Sequence, residues 1–372
     1  MKITNQIQSV MAPPVSLANA LKARCPDHLT LLDLSQAVPG YPPSDDILEA
    51  AAKALTDPLT HKYAPALGLA ELREAHATQM NVKPEHLAVT AGCNQAFAVA
   101  MQCLAQQGRK VVLPTPYYFN HQMTLQMQGF EIVPWPCRSD MSPDFDSLPS
   151  LITPDVCAVV LVSPNNPTGY TSAPDAIRSL LAQCESWGIH LILDSTYQDF
   201  VPPEQRFIPG VYDRLIQVYS FSKAYAMAGH RVGSLIGPQA LIEQAEKVID
   251  CWAICAPRLG QHMALAGIQM AQDWLRDWRG RIEQRERLLR RAFQSLPGYD
   301  IVASGAYFAW MRFDADVDSV SMATHWIEQR GTMALPAAYF GSDQPALRLA
   351  FANIDEAGID ELARRLGEGI QL

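Results

Sequence analysis

The residues best equipped for chemistry are Ser220-Phe221-Ser222-Lys223, followed by Gly229-His230-Arg231-Val232-Gly233. Just before them, Leu215-Ile216-Gln217-Val218-Tyr219 is short, apolar and rich in β-branched residues, and reads as a buried strand. A lysine at the end of such a strand is held in a partly dry cleft. Burial disfavours its charged form, which frees the amine to attack a carbonyl. Two serines before it and an arginine eight positions after it can grip a phosphate. A nucleophilic lysine beside a phosphate grip points to pyridoxal phosphate, whose aldehyde lysine holds as a Schiff base. The plainer alternative is a surface lysine in a serine-rich turn, and the rest of the chain decides between them.

Two further clusters lie upstream. Ser163-Pro164-Asn165-Asn166-Pro167-Thr168-Gly169 follows an apolar run, and alone such a turn need only reverse the chain. Asp194-Ser195-Thr196-Tyr197 closes another apolar run, where a carboxylate is costly unless it meets a cation. With the lysine cluster, these stand in order at the ends of three consecutive predicted strands, which chance explains poorly. Ala91-Gly92-Cys93-Asn94-Gln95, between a strand at 87–90 and an apolar helix to about Leu104, is a weaker signal of the same kind. Strand, glycine turn and helix is the geometry that aims backbone N–H groups at a phosphate.

The elements that must position these residues follow from periodicity. Strands are expected at 110–114, 131–134, 157–163, 190–194, 215–220 and 232–236, the last pairing antiparallel at one side. Helical patterns separate most of them. Such alternation predicts an α/β fold: a mostly parallel sheet covered on both faces, with ligands beyond the carboxyl ends of its strands. Residues 1–45 read as an amphipathic segment ending in a Pro/Gly-dense loop, Gln36 to Pro43, that either connects rigidly or lies over a site. A helix should run from Ser44, as N-cap, to Leu55, and another from Ala70. From about Leu259 to Leu296 the pattern is helical, with Arg281, Glu283, Arg285, Glu286, Arg290 and Arg291 read as a solvated face. Strands at 301–302, 306–313, 332–335 and 347–352 and a final helix from Asp355 predict a smaller α+β domain. The expected division is therefore 1–45 joining the small domain, 46–262 as the large domain, and 263–372 as interdomain helix and small domain.

A chain of 372 residues can bury a sizeable core and fill two domains of about 150 residues each. Its formal charge of −9 is spread among mixed signs with no basic tract, which argues against a nucleic-acid partner. Met1 to Gln6 lacks the layout of a secretory leader, and the apolar runs are too short to cross a bilayer. Eight scattered cysteines without a CxxC pair fit a reducing cytoplasm. Cys251 and Cys255 are spaced to share a helix face, as packed thiols rather than metal ligands, and no metal is expected.

On Asn166-Pro167-Thr168-Gly169, Asp194-x-x-Tyr197 and Ser220-x-Ser222-Lys223 with Arg231, the chain resembles the class I/II aminotransferases of the fold-type-I pyridoxal-phosphate enzymes, the aspartate aminotransferase superfamily. The likeness runs from about Gln36 to the C-terminus. It implies that Lys223 holds the cofactor and shuttles a proton, and that Asp194 pairs with the pyridinium nitrogen. Asn166 and Tyr197 would donate to the ring's phenolic oxygen. Ser220, Ser222, Arg231 and the N–H groups around Gly92, Cys93 and Asn94 would hold the phosphate. Tyr118, or its neighbour Tyr117, would stack on the cofactor. Tyr63 resembles the tyrosine that reaches the neighbouring subunit's phosphate, implying a homodimer with shared sites. Arg348 matches the arginine for the substrate α-carboxylate, a task that suits its planar fork.

Three departures stand out. Thr196 occupies a position where a small apolar residue usually lies under the ring. Ala37-Val38 replaces glycine at the substrate's edge, which narrows the pocket around Val38. No second arginine for a side-chain carboxylate is evident, Arg258 being a weak candidate. The implied reaction is exchange of an amino group between a neutral or aromatic L-amino acid and a 2-oxo acid by a ping-pong cycle. The same constellation also suits a C–S β-lyase, since both reactions begin by removing the Cα proton. A catalytically silent relative is disfavoured because every expected position is filled.

Overall fold

The computed structural model describes residues 4–104, 109–208, 210–367 and 369–370. The first three residues of the N-terminal segment lie outside them. Seven strands form the main sheet: β1 (Leu87–Thr90), β2 (Lys110–Thr115), β3 (Glu131–Pro136), β4 (Val156–Val162), β5 (His190–Asp194), β6 (Leu215–Ser220) and β7 (Gly233–Ile236). Their order is β1-β7-β6-β5-β4-β2-β3. Every pairing from β6 to β3 is parallel. β7 is antiparallel, as expected, but it lies inside the sheet, between β1 and β6, rather than at one side. Every residue of β4, β5 and β6 is buried, because helices cover both faces. This accounts for their unbroken apolar sequences.

A second, antiparallel sheet is built from β8 (Tyr299–Gly305), β9 (Phe308–Phe313), β10 (Leu335–Pro336) and β11 (Ala346–Leu349), ordered β10-β11-β9-β8. The single strand expected over 332–335 is split in two. Thr332–Met333 pairs in parallel with Leu32–Asp33, which stitches the N-terminal segment to the small domain, and Leu335–Pro336 pairs with β11. The expected strand 347–352 stops at Leu349 and becomes a 3₁₀ turn, Phe351–Asn353.

Ser44 caps the helix Asp45–Leu55, its hydroxyl accepting from the Ile47 N–H at 3.4 Å. The helical stretch near 259–296 is two helices, Arg258–Met270 and Gln272–Phe293, separated at Ala271. Arg285 does not belong to a solvated face: it is buried, donates to the Ala352 carbonyl at 3.0 Å and lies over the Trp278 ring. Cys251 and Cys255 do not share a helix either, since that helix ends at Ala253. The Cys255 sulfur instead accepts from the Ala64 N–H.

The two sheets meet at the Asn165–Gly169 turn. Gly169 has φ of +77°, and a Cβ there would lie 2.3 Å from the Phe308 carbonyl oxygen and 2.4 Å from the Gly305 nitrogen. Only glycine allows this approach of the turn to the β8–β9 hairpin. Gly169→Ala is therefore expected to cost about 2 kcal/mol or more in urea unfolding. Gly280→Ala, mid-helix with open space around it, should instead stabilise by about 0.5–1 kcal/mol. Equal effects of the two substitutions would contradict this reading.

Candidate active site

The carboxyl ends of β4, β5 and β6 open onto one cavity of about 220 Å³. Asn166 follows β4, Asp194 ends β5, and Ser220 ends β6 with Lys223 one turn beyond. Cys93 and Asn94 enter from the helix Cys93–Leu104, Tyr118 from the N-cap of Phe119–Met127, and Arg348 from β11. Val38, Tyr197, Ser222 and Arg231 complete the predicted residues that line it. Gly92 stands just behind: its φ is +86°, and a Cβ would come within 2.5 Å of the Arg231 guanidinium. Tyr63 lies elsewhere, 73% exposed in a separate depression with Arg258, which donates to the Lys62 and Tyr63 carbonyls. Arg258 thus secures the Tyr63 segment rather than facing the cavity. Of the two neighbouring tyrosines, Tyr118 lines the cavity, whereas the Tyr117 ring packs against Gly341.

Local sequence explains these placements. The Asn165 carboxamide accepts from the Thr168 N–H (3.1 Å) and hydroxyl (3.0 Å), closing a turn that presents Asn166. Asn166 Oδ1 then accepts from Arg348 at 3.1 Å. The Ser220 hydroxyl accepts from the Ser222 N–H at 3.2 Å and fixes the turn that carries Lys223. The Lys223 amine donates to the Ala37 carbonyl.

The electrostatics are those of a site short of anions. Among the described residues, Asp194 is the only carboxylate lining the cavity. It is 3% exposed, and burial pushes its pKa up. The hydrogen bond and charge of His121, with donation from Thr196, outweigh that effect and hold it below the usual carboxylate range. His121 Nε2 donates to Asp194 Oδ2 at 3.1 Å, and the Thr196 N–H donates to Oδ1 at 2.9 Å. His121 was not anticipated. It is buried against the Phe97 ring at 4.1 Å, with Tyr118 edge-on at 5.2 Å. The one sequence signal was its place three residues after Tyr118 on a helix, hence on the same face. Thr196 therefore serves Asp194 through its backbone N–H and its side chain.

Lys223 is pulled down to about 8 by burial and by the nearby Arg231 and Arg348. Burial likewise lowers Arg348 to about 10, which leaves it charged at neutral pH. Arg348 is 3% exposed, lies between the Phe308 and Phe340 rings, and donates to Asn166 and to the Ser35 carbonyl. Its Nε has no partner among the described residues. A buried cation with an unpartnered donor is a ready carboxylate receptor.

These residues fit pyridoxal phosphate. The Gly92–Arg231 cradle has no room for a Cβ, the Cys93 helix starts at the cavity, Asp194 is kept ionised, and a lysine of lowered pKa lines the same cavity. Fold and cavity together are those of a fold-type-I pyridoxal-phosphate enzyme. The family model for aminotransferase class I and II matches residues 30–366, and the chain belongs to that family of pyridoxal-phosphate-dependent transaminases. It is 29% identical to an aromatic aminotransferase of Arabidopsis thaliana, over 100% of this chain and 94% of that protein. An aspartate/prephenate aminotransferase of Thermus thermophilus is 27% identical, with 94% of each chain covered. The solved structure of Thermus thermophilus aspartate aminotransferase with maleate shares the fold, at a TM-score of 0.91 and 24% identity over the whole of both chains.

The lowered Lys223 pKa can be read directly in the cofactor-free protein. Competitive acetylation with acetic anhydride, followed residue by residue by mass spectrometry, should show Lys223 gaining reactivity through a midpoint near pH 8. A midpoint near the ordinary lysine value of about 10.4 would contradict the electrostatic account.

Proposed function

We propose that the chain moves the amino group of a neutral or aromatic L-amino acid to a 2-oxo acid by a ping-pong cycle, working as a homodimer with shared sites. The observation that carries the substrate class is the make-up of the cavity wall. Besides Lys223, Arg231 and Arg348, no cation lines it among the described residues. Val15, Ala18, Val38, Phe119 and Leu335 give the wall an apolar stretch, and its other polar side chains, Gln36 and Asn120 among them, are uncharged. A substrate side-chain carboxylate would be desolvated there without a cation of its own to meet, whereas an apolar or aromatic side chain would gain from burial. Donor and acceptor both carry an α-carboxylate, and one Arg348 serves both. They must therefore use the cavity in turn, which supports the ping-pong order.

When bound, pyridoxal phosphate supplies a carbonyl that captures the amino group and a ring that draws electrons from the substrate's Cα. The chain's residues do the rest. Lys223 would hold the cofactor and, once displaced by the substrate amine, would take up the Cα proton at Nζ and pass it on, the relay that exchange of the amino group requires. Asp194, held ionised by His121, would keep the ring nitrogen positive. Asn166 and Tyr197 would donate to the ring's phenolic oxygen, and Tyr118 would stack on the ring. Ser220, Ser222, Arg231 and the N–H groups of Gly92, Cys93 and Asn94 would bind the phosphate. Arg348 orients the substrate through its carboxylate.

Tyr63, exposed and pinned by Arg258, is suited to reach the phosphate of a partner subunit. Residues 46–262 form the cofactor-binding unit, and 1–45 with 263–372 the smaller one. A cytoplasmic setting suits the eight unpaired cysteines. No helix among the described residues is long and apolar enough to cross a membrane.

The test is a panel of amino donors mixed with the holoenzyme without a keto acid, followed by absorbance. Aromatic and neutral amino acids should convert the cofactor to its amine form, and aspartate and glutamate should do so far more slowly. Preference for the acidic donors would overturn the substrate class, and pyruvate release from cystathionine would indicate β-elimination. Lys223→Ala should abolish transamination and Asp194→Ala should cost several orders of magnitude in rate. Arg348→Ala should raise KM for every amino acid by about a hundredfold, as loss of a bidentate charged contact implies. Light scattering that showed a monomer would remove the shared-site proposal.

A further inference from the structure

Arg348 is aimed by a chain of contacts that begins outside the cavity. Leu34 is fully buried and stitched on both sides: its N–H donates to the Met333 carbonyl and its carbonyl accepts from the Ala350 N–H, both at 2.8 Å. The next residue, Ser35, is also fully buried and turns its carbonyl onto the Arg348 guanidinium. That turn is set by Asp33. Asp33 Oδ1 accepts from the Ser35 N–H at 2.8 Å and from the Ser35 hydroxyl at 2.6 Å. Its other oxygen, Oδ2, pairs with Lys22, the last residue of the helix Pro14–Lys22. Val15 and Ala18 of the same helix form part of the cavity wall. One carboxylate therefore ties the helix that walls the substrate side chain to the carbonyl that orients the carboxylate receptor.

We propose that Asp33 is a positioning residue for substrate binding: by fixing the Ser35 turn it holds the Arg348 fork in the orientation that receives the α-carboxylate, and through Lys22 it anchors the Pro14–Lys22 helix over the side-chain subsite. The inference rests on Arg348 being the α-carboxylate receptor. Asp33 never touches substrate, so its removal should weaken recognition of the carboxylate and leave proton transfer at Lys223 intact. An ionised Asp33 suits the role: burial works against its charge, but Lys22 and Ser35 outweigh that and keep its pKa below the usual value.

The test compares phenylalanine with phenethylamine, which lacks the α-carboxylate, in the half-reaction of the holoenzyme. Asp33→Ala should raise KM for phenylalanine about tenfold, the size of one hydrogen bond to a charged group, with kcat little changed. The amine should react as it does with the unaltered enzyme. Asp33→Asn keeps an oxygen for Ser35 and should recover most of the loss. Ser35→Ala, which removes one donor and leaves the strand intact, should shift phenylalanine in the same direction by a smaller factor and serves if Asp33→Ala does not fold. Equal losses for amine and amino acid, or an unchanged KM for phenylalanine, would overturn the proposal. Arg348→Ala separates the two levels. If it leaves the amino-acid-to-amine preference unchanged, the receptor assignment itself fails. If it abolishes the preference while the Asp33 and Ser35 variants keep it, only the positioning role fails.

Discussion

Lys223, Arg231 and Arg348 share one cavity in which the single carboxylate among the described residues, Asp194, is already engaged by His121. The site depends on this imbalance. Cations crowded together without anions are unfavourable, and although only Arg348 of the three is fully buried, the fold supplies carbonyl acceptors to all of them: Ala37 for Lys223, Ala91 and Ala228 for Arg231, Ser35 for Arg348. These acceptors satisfy the cations without neutralising them. In the proposed function, a phosphate and a substrate carboxylate bring the missing negative charge. The same imbalance lowers the Lys223 pKa, because the neighbouring arginines add to the effect of burial.

The parallel sheet makes the imbalance possible. Three adjacent strands, β4, β5 and β6, end at one level, so groups far apart in sequence are delivered to one rim. Asp194 can stay charged at that rim because a helix places His121 against it on one side and the turn after β5 places the Thr196 N–H on the other. The smaller sheet supplies Arg348 from the opposite wall. The Gly169 turn and the stitched Leu32–Leu34 segment hold that wall in register with the first.

The large sheet was legible in the sequence because each central strand is a run of apolar residues with polar residues just past its end. The β5 and β6 boundaries fell on the expected residues, 190–194 and 215–220. The site was legible for the same reason: Asn166, Asp194 and Lys223 each follow an unmistakable strand. What escaped was set by packing that local pattern does not encode. Nothing around His121 marks it as a partner of a residue 73 positions away. Arg285 shares its spacing with truly exposed arginines and is buried only because Trp278 and Ala352 meet it. The placement of β7 inside the sheet, and the division of 332–335 between two sheets, depend on partners distant in the chain. The roles of Asp33 and Ser35 are of this kind too, visible only once a loop and a strand are seen side by side.

The central claim is that the ε-amine of Lys223, beside an ionised Asp194, is the group that captures pyridoxal phosphate. Reducing the holoenzyme with borohydride and mapping its peptides by mass spectrometry tests this most directly. The account predicts loss of the yellow absorption band and a phosphopyridoxyl group on Lys223 alone. A reduced cofactor on another lysine, or a holoenzyme with no band to lose, would contradict it.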